Sequence, residues 1–397
     1  MGPGHSAGTL AAASNTPTVD PRAVEQAATG PVPDGRHATA TEVILSARRT
    51  TLADVAASAG VSVSTASLAF SGSGPIADAT RDRVLEAART LGYAGPNPLG
   101  RQLRRGRSGI VGVIMGDALR RAFRDPVAVQ VLDGLTSTLG PLGLGVLLVP
   151  GPDSASQPAV DPLLETAAMD VAVQMWGGTT DDPVLDALRR RGTPTVLVEG
   201  TPQPDVAAVG IDDQGGMTTL TQHLLALGHT RIATVTLPFD RSRHEGPADS
   251  DRLAQISWEI TRRRLAGVTD AGVTPVVVHE TSASLVECGA AAGRAVLSAA
   301  DRPTAVVCQS DLLASGVVLA ARELGLRVPQ DVSVAGFDGL DLPWLAPDVL
   351  TSVAQPLADK GATIGSAVAE LLEGRMPEPQ VLPVELRVGT TTGPAPR

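Results

Sequence analysis

Apolar positions in residues 51–71, "TLADVAASAGVSVSTASLAFS", recur every three or four residues and are interrupted once, at "AGV". That spacing predicts two short helices. Thr51 caps the first, whose buried stripe is Leu52, Val55, Ala56 and Ala59. Gly60 stops it in a left-handed backbone, Val61 plugs the gap, and Ser62 caps the second, which buries Ala66 and Ala69 or Phe70. A third helix is predicted over "RDRVLEAARTLGY", with Thr80 as cap and Val84, Leu85, Ala88 and Leu91 closing a three-helix core.

From residue 109 the pattern changes to apolar, Val-rich runs separated by helical stretches. The expected strands lie at 110–116, 144–150, 171–176, 194–200, 231–237, 274–280, 304–310 and 331–337. Helix-like segments such as "PVAVQVLDGLTSTLG" and "SLVECGAAAGRAVLSAA" separate most of them. Continuous apolar strands alternating with helices imply parallel sheets covered on both faces. Some 285 residues exceed one such core, so residues 109–393 are expected to form two α/β lobes. A cleft beyond the carboxyl ends of the strands is then the natural ligand site.

Composition refines this outline. Only 2% of the 397 residues are aromatic, so the core must be built mainly of Ala, Val and Leu. The net charge of −10 speaks against a nucleic-acid partner, but its distribution reverses that. Residues 48–107 hold nine Arg against Asp54, Asp78, Asp82 and Glu86, so this segment is +5 and the remainder −15. A small basic module joined to an acidic one is the implied arrangement. In a tight helix–turn–helix the second helix enters the DNA major groove, which would turn Ser62, Val63, Ser64, Thr65 and Ser67 to the duplex. Hydroxyls can bond phosphates and base edges, and Val63 can touch a thymine methyl. A plain helical hairpin is the alternative. Residues 1–49, rich in Gly, Pro, Ala, Ser and Thr, are expected to be a disordered tail. Residues 95–108, "GPNPLGRQLRRGRS", form a basic linker. Cys288 and Cys308 lie in apolar runs without C-x-x-C spacing and are expected to be buried thiols. No stretch of about 18 apolar residues occurs, and the N-terminus lacks a basic start and an apolar core, so a cytoplasmic protein is expected.

"TLADVAASAGVSVSTAS…ATRDRVLEAARTLGY" resembles the lac-repressor family of bacterial regulators. The likeness continues in "PNPLGRQLRRGRSGIVGVIM", "HLLALGHTRIA", "RRRLAGV" and "PTAVVCQSDLLASGVVLAARELGLRVPQDVSVAGFDGLDL", and so covers about residues 50–390. It implies an all-α helix–turn–helix headpiece over 50–94, with Thr51 among its DNA contacts. It further implies a hinge helix within 95–108 and a two-lobed α/β core of the periplasmic-binding-protein type. In that family the hinge folds against its twin on DNA, and a leucine wedges into the minor groove. The matching residue is Leu103, with Asn97, Gly100 and Gln102 beside it and Arg101, Arg104 and Arg105 serving phosphates. Effector-binding positions fall on Arg262, Asp311 and Glu199. Each has a plainer reading, as a solvated helix charge, a helix cap and a loop charge respectively. The sequence departs from the family at Val63 and Leu68, where long polar or basic residues are frequent. It departs again at Ser284 and Leu357, often aromatic, so that stacking on a ring would fall to Trp176, Phe123 or Trp344.

No G-x-S-x-G, H-E-x-x-H or Walker loop is present, and His229 reads as the end of a helix. The expected protein is therefore no enzyme and carries neither cofactor nor metal. It is a ligand-responsive transcriptional regulator, a repressor, that binds a palindromic operator in double-stranded DNA as a homodimer. Its effector is expected to be a small, sugar-like molecule. A solute-binding receptor on the same core is the alternative.

Overall fold

The computed structural model describes residues 50–71, 74–95, 106–151, 160–177 and 182–396. The chain divides into two compact units, one ending at Pro96 and the other beginning at Asn97. The 1–49 tail and the linker positions Asn97, Gly100, Leu103 and Arg104 lie outside the described residues.

The first unit holds α1 (Leu52–Ala59), α2 (Val63–Ser71) and α3 (Asp78–Thr90). Thr51 caps α1 reciprocally with Asp54: the Asp54 amide donates to the Thr51 hydroxyl, and the Thr51 amide donates to the Asp54 carboxylate. Gly60, at φ 64°, ends α1, and the chain direction turns by 103° into α2. Val55, Ala56, Ala59, Ala66, Ala69, Val84, Ala87 and Ala88 form the core, with Val61, Phe70 and Tyr93 packed against it. Two expectations for α3 are corrected. Its cap is Ala77 and it begins two residues before Thr80. Leu91 is exposed, and Ala87 supplies the inward contact. One turn earlier than Leu91, Ala87 is small enough to sit where the helices approach.

All eight anticipated strands form in the second unit: β1 (Ile110–Ile114), β2 (Gly145–Val149), β3 (Val171–Met175), β4 (Thr195–Val198), β6 (Ile232–Thr236), β8 (Val278–Glu280), β9 (Ala305–Cys308) and β10 (Ser333–Asp338). Five more accompany them: β5 (Ala207–Ile211), β7 (Gly246–Pro247), β11 (Thr351–Ala354), β12 (Gln380–Leu382) and β13 (Glu385–Arg387). They build two sheets. The first, in order β12-β5-β4-β3-β1-β2, is wholly parallel. The second, β13-β11-β10-β9-β6-β8-β7, is parallel except at its two edge strands.

Helices α4 (Pro126–Leu139), α5 (Pro183–Arg191) and α10 (Leu357–Leu372) serve the first lobe. Helices α6 (Asp213–Ala226), α7 (Glu259–Asp270), α8 (Val286–Leu297) and α9 (Asp311–Glu323) serve the second. Helices α4 and α10 touch backbone to backbone, since a Cβ at Gly134 would collide with the Ala358 carbonyl and one at Gly361 with that of Val131. The chain passes between lobes three times: from β5 to α6, from β11 to α10, and from β12 to β13. Three crossings of this kind form a hinge, and the cleft between the lobes lies beside it.

Candidate functional site

Two surfaces carry chemistry. On the headpiece, Ser62 caps α2 by accepting the Thr65 amide, and its hydroxyl lies 2.8 Å from those of both Ser64 and Thr65. Ser62, Val63 and Ser64 are exposed, and Thr65 and Ser67 half-buried. The first turn of α2 contains no acidic residue. Its helix-end dipole and exposed hydroxyls therefore present partial positive charge and donors, the complement of a phosphate or a base edge.

The second surface is the interlobe cleft, a cavity of about 120 Å³ that opens to solvent. Its wall is assembled from strand ends: Gly116 after β1, Trp176 after β3, Glu199 after β4, Leu237 after β6, Ser310 after β9, Asp338 closing β10 and Gln355 after β11. Carboxyl ends of parallel strands converge in this way wherever α/β folds bind ligands. Backbone strain collects here as well. Among the described residues, the non-glycine positions with positive φ are Trp176, Glu199, Arg243 and Asp338, and all four line the cleft. Such conformations cost about 1–3 kcal/mol each and persist where the surroundings impose them.

A buried polar chain runs along the cleft floor. Lys360 donates to Glu199 and, at 2.6 Å, to the side-chain oxygen Oε1 of Gln355. The side-chain Nε2 of Gln355 donates to the Asp338 carboxylate at 2.6 Å. Arg264 meets Asp338 at 3.4 Å and Asp213 at 2.8 Å, and its guanidinium lies 3.8 Å from the centre of the Phe337 ring. Burial raises the carboxyl pKa of Asp213 to about 6 despite Arg264. Asp338 is driven well above the usual range by burial, with Asp311 and Asp125 adding to the effect against Arg264. At the cleft edge Asp125 caps α4 through the Val127 amide, and burial brings its carboxyl to about 6. Burial also opposes ionisation of Glu199, but Lys360, Arg264 and the Trp176 side chain outweigh it and lower its pKa. Nearer the mouth, Asp117 of the first lobe pairs with Arg121 and, across the cleft, with Arg243 at 2.8 Å.

Of the three anticipated effector residues, Glu199 lines the cleft. Arg262 does not: it is exposed on α7 and held by Glu259, and the inward-facing arginine of "TRRRLAG" is Arg264. Two positions along a helix turn a side chain by about 200°, which carries Arg262 to the opposite face. Asp311 is fully buried and absent from the cleft wall; its carboxylate accepts from the Leu340 amide at 2.7 Å and the Ser352 hydroxyl at 2.6 Å. It is not the cap of α9, a role taken by Ser310, whose hydroxyl accepts the Leu313 amide. Trp176 lines the cleft, whereas Phe123 and Trp344 are exposed elsewhere; Trp258 joins Trp176 instead. Ser284 is part of the wall, and Leu357 packs in the core of the first lobe. His229 is fully buried between Thr304, Ser333 and the Gly393 carbonyl, where it anchors the C-terminal segment.

Residues 51–97 match the bacterial regulatory proteins of the lacI family, and residues 221–392 match a periplasmic binding protein-like domain. The chain is 36% identical to the HTH-type transcriptional regulator Rv3575c of Mycobacterium tuberculosis, over 87% of its own length and 98% of the relative's. This chain belongs to the lacI family of bacterial transcriptional regulators. Among solved structures, a lac repressor dimer bound to operator and the anti-inducer ONPF is similar at a TM-score of 0.73 and 25% identity. That likeness covers 87% of this chain and all of the repressor chain. A complex of the transcriptional regulator CelR with cellobiose is similar at a TM-score of 0.60 and 27% identity, covering 86% of this chain and all of the other. Among the described residues no single helix is long and apolar enough to cross a membrane.

Proposed function

We propose that the protein is a repressor that binds a palindromic operator as a homodimer and is switched by a small, sugar-like effector in the interlobe cleft. Helix α2 enters the major groove with Ser62, Val63, Ser64, Thr65 and Ser67 toward the bases, while Thr51 meets the backbone. In the linker, Leu103 wedges into the minor groove, with Asn97 and Gly100 beside it and Arg104 on a phosphate. Effector closes the cleft about the three crossings, and the altered lobes part the paired linkers. This is a shift between DNA-competent and incompetent populations. The cellobiose complex of CelR supports a carbohydrate ligand, and Trp176 and Trp258 at the cleft wall offer faces for a sugar ring.

The observation that carries this reading is the exposed, acid-free first turn of α2 beyond a 103° turn, in a chain that also holds a strained interlobe cleft. A solute receptor needs the cleft but no such headpiece. Selection of bound sequences from a random DNA pool should return an inverted repeat. Leu103→Ala should weaken binding to that repeat by on the order of tenfold or more while leaving random DNA unaffected. Equal losses on both, or no loss on either, would reject the wedge.

A further inference from the structure

We propose that the effector site continues past Trp176 and Trp258 into a second compartment, where Gln174 accepts a hydroxyl from the far unit of a neutral, two-unit, disaccharide-like effector. This rests on the reading of the cleft as the effector site. The second compartment holds about 260 Å³, against about 120 Å³ in the first. The two adjoin: Gly116, Trp176, Glu199, Arg243, Trp258 and Ile260 belong to both walls. In the first, the charged and amide side chains are spent on one another. Asp117 is paired with Arg243, Glu199 with Lys360, and Asp338 with Gln355. These charges are matched within the protein, so the cleft asks for no charged ligand.

The second compartment holds the acceptor that is not spent. Gln174 lines it and does not line the first. It is the one polar residue of β3, all five of whose residues are buried, and is itself 3% exposed. Its Nε2 donates to Oδ2 of Asp182 at 2.6 Å, while Oδ1 of Asp182 caps α5 by accepting the Val184 amide at 2.8 Å. A carboxylate can only accept, so the nitrogen of Gln174 must face Asp182 and Oε1 is turned away from it. Gly177 passes so close that a Cβ there would collide with Nε2, which holds the amide in place. Oε1 is buried and has no hydrogen-bond partner. An unmet buried acceptor is unfavourable, and an apolar side chain would suit this strand better if packing were its only task. The cap of α5 does not require it, since backbone amides already serve Asp182. A neutral hydroxyl answers such an oxygen. A ligand that occupies the first compartment and also reaches Gln174 must span both, with the tryptophans flanking the join.

The test uses full-length protein with maltose, cellobiose, trehalose and lactose, each compared with its own units, glucose and galactose. Binding is read by calorimetry and by tryptophan fluorescence, because Trp176 and Trp258 line the shared wall. At least one disaccharide should bind about tenfold or more tightly than either of its units. Gln174→Met keeps the length and removes the acceptor. It should abolish that excess and leave monosaccharide affinity within about twofold. Ser257→Phe, at an exposed position on the wall of the second compartment alone, obstructs it and should do the same. That variant reports even where Gln174→Met unfolds the lobe. Absence of an excess for every disaccharide, or its survival in either variant, overturns the proposal. So does an equal loss for both sugar sizes in Gln174→Met, which would mark the glutamine as a brace for α5. Operator release, followed in parallel by anisotropy, separates the two claims. A monosaccharide that binds and releases DNA as well as any disaccharide overturns the second compartment and leaves the cleft as the switch. A disaccharide held through Gln174 without effect on DNA upholds the compartment and counts against the cleft as the switch.

Discussion

At the scale of single residues, Arg264 is the side chain on which the cleft floor depends. It is almost wholly buried and answers Asp213 and Asp338. Removing one partner of a buried pair leaves the other charge uncompensated, so Arg264→Ala should cost about 3–5 kcal/mol of core stability. Arg262, two residues earlier and exposed, should cost less than about 1 kcal/mol as Arg262→Ala. Chemical denaturation of both variants checks the assignment, and equal losses would refute it. Asp125 makes a second prediction, with pH. Its folded-state pKa of about 6 lies above the ordinary 3.8, so the folded protein retains a proton that the unfolded chain has shed between those values. Ionising it therefore destabilises the fold, fully above about pH 6 and not at all below about pH 4. Asp125→Asn should stabilise the core by roughly 1–2 kcal/mol at pH 7.5, a gain that fades toward pH 4. A loss at pH 7.5, or a gain independent of pH, contradicts it. Glu199 was reached through the family resemblance, which places an effector-binding acid at the end of the apolar run "PTVLV". The same reading missed Arg264 because three successive arginines carry no mark of which one faces inward. Lys360 was missed because a lysine in an amphipathic helix reads as solvated, and only the fold reveals the carboxylate opposite it.

At the scale of elements, the break between α1 and α2 was legible because each part of it is local chemistry. Gly60 supplies the left-handed residue, and the Val61 amide returns to the Ala56 carbonyl at 3.0 Å, closing the helix end. Nothing lies within reach of a Cβ at Gly60, so Gly60→Ala adds backbone strain alone. It should cost about 1–2 kcal/mol, read as faster hydrogen exchange across residues 50–95 with the core's protection unchanged. Unaltered exchange in the headpiece would show that the turn does not need the left-handed residue. The start of α3 was misread because Thr80 is a plausible cap, whereas Ala77, which takes the position, has no side chain to announce it. Eight strands declared themselves as apolar, Val-rich runs, whereas the buried β5 and β11, with a single Val each, went unread. β12 and β13 went unread too, since each has three residues, is largely exposed and pairs through backbone donors that leave no hydrophobic pattern. Those two strands carry the third crossing, so the hinge was the part of the fold least visible in the sequence.

At the scale of the whole molecule, the charge asymmetry fits the division of labour. Residues 48–107 are +5 in a chain of −10, so DNA attraction is confined to the headpiece and linker while the acidic core resists nonspecific adhesion. A dimer brings two such segments to one operator, and each phosphate neutralised releases counterions. Sequence-specific recognition by paired headpieces is read by fluorescence anisotropy of the intact protein on the selected inverted repeat and on random DNA, titrated from about 50 to 200 mM salt. One dimer should bind per repeat, with affinity for the repeat at least about a thousandfold above random DNA, and binding to both should weaken steeply with salt. Equal affinity for the two DNAs, or binding to the repeat that barely changes across that range, would contradict it.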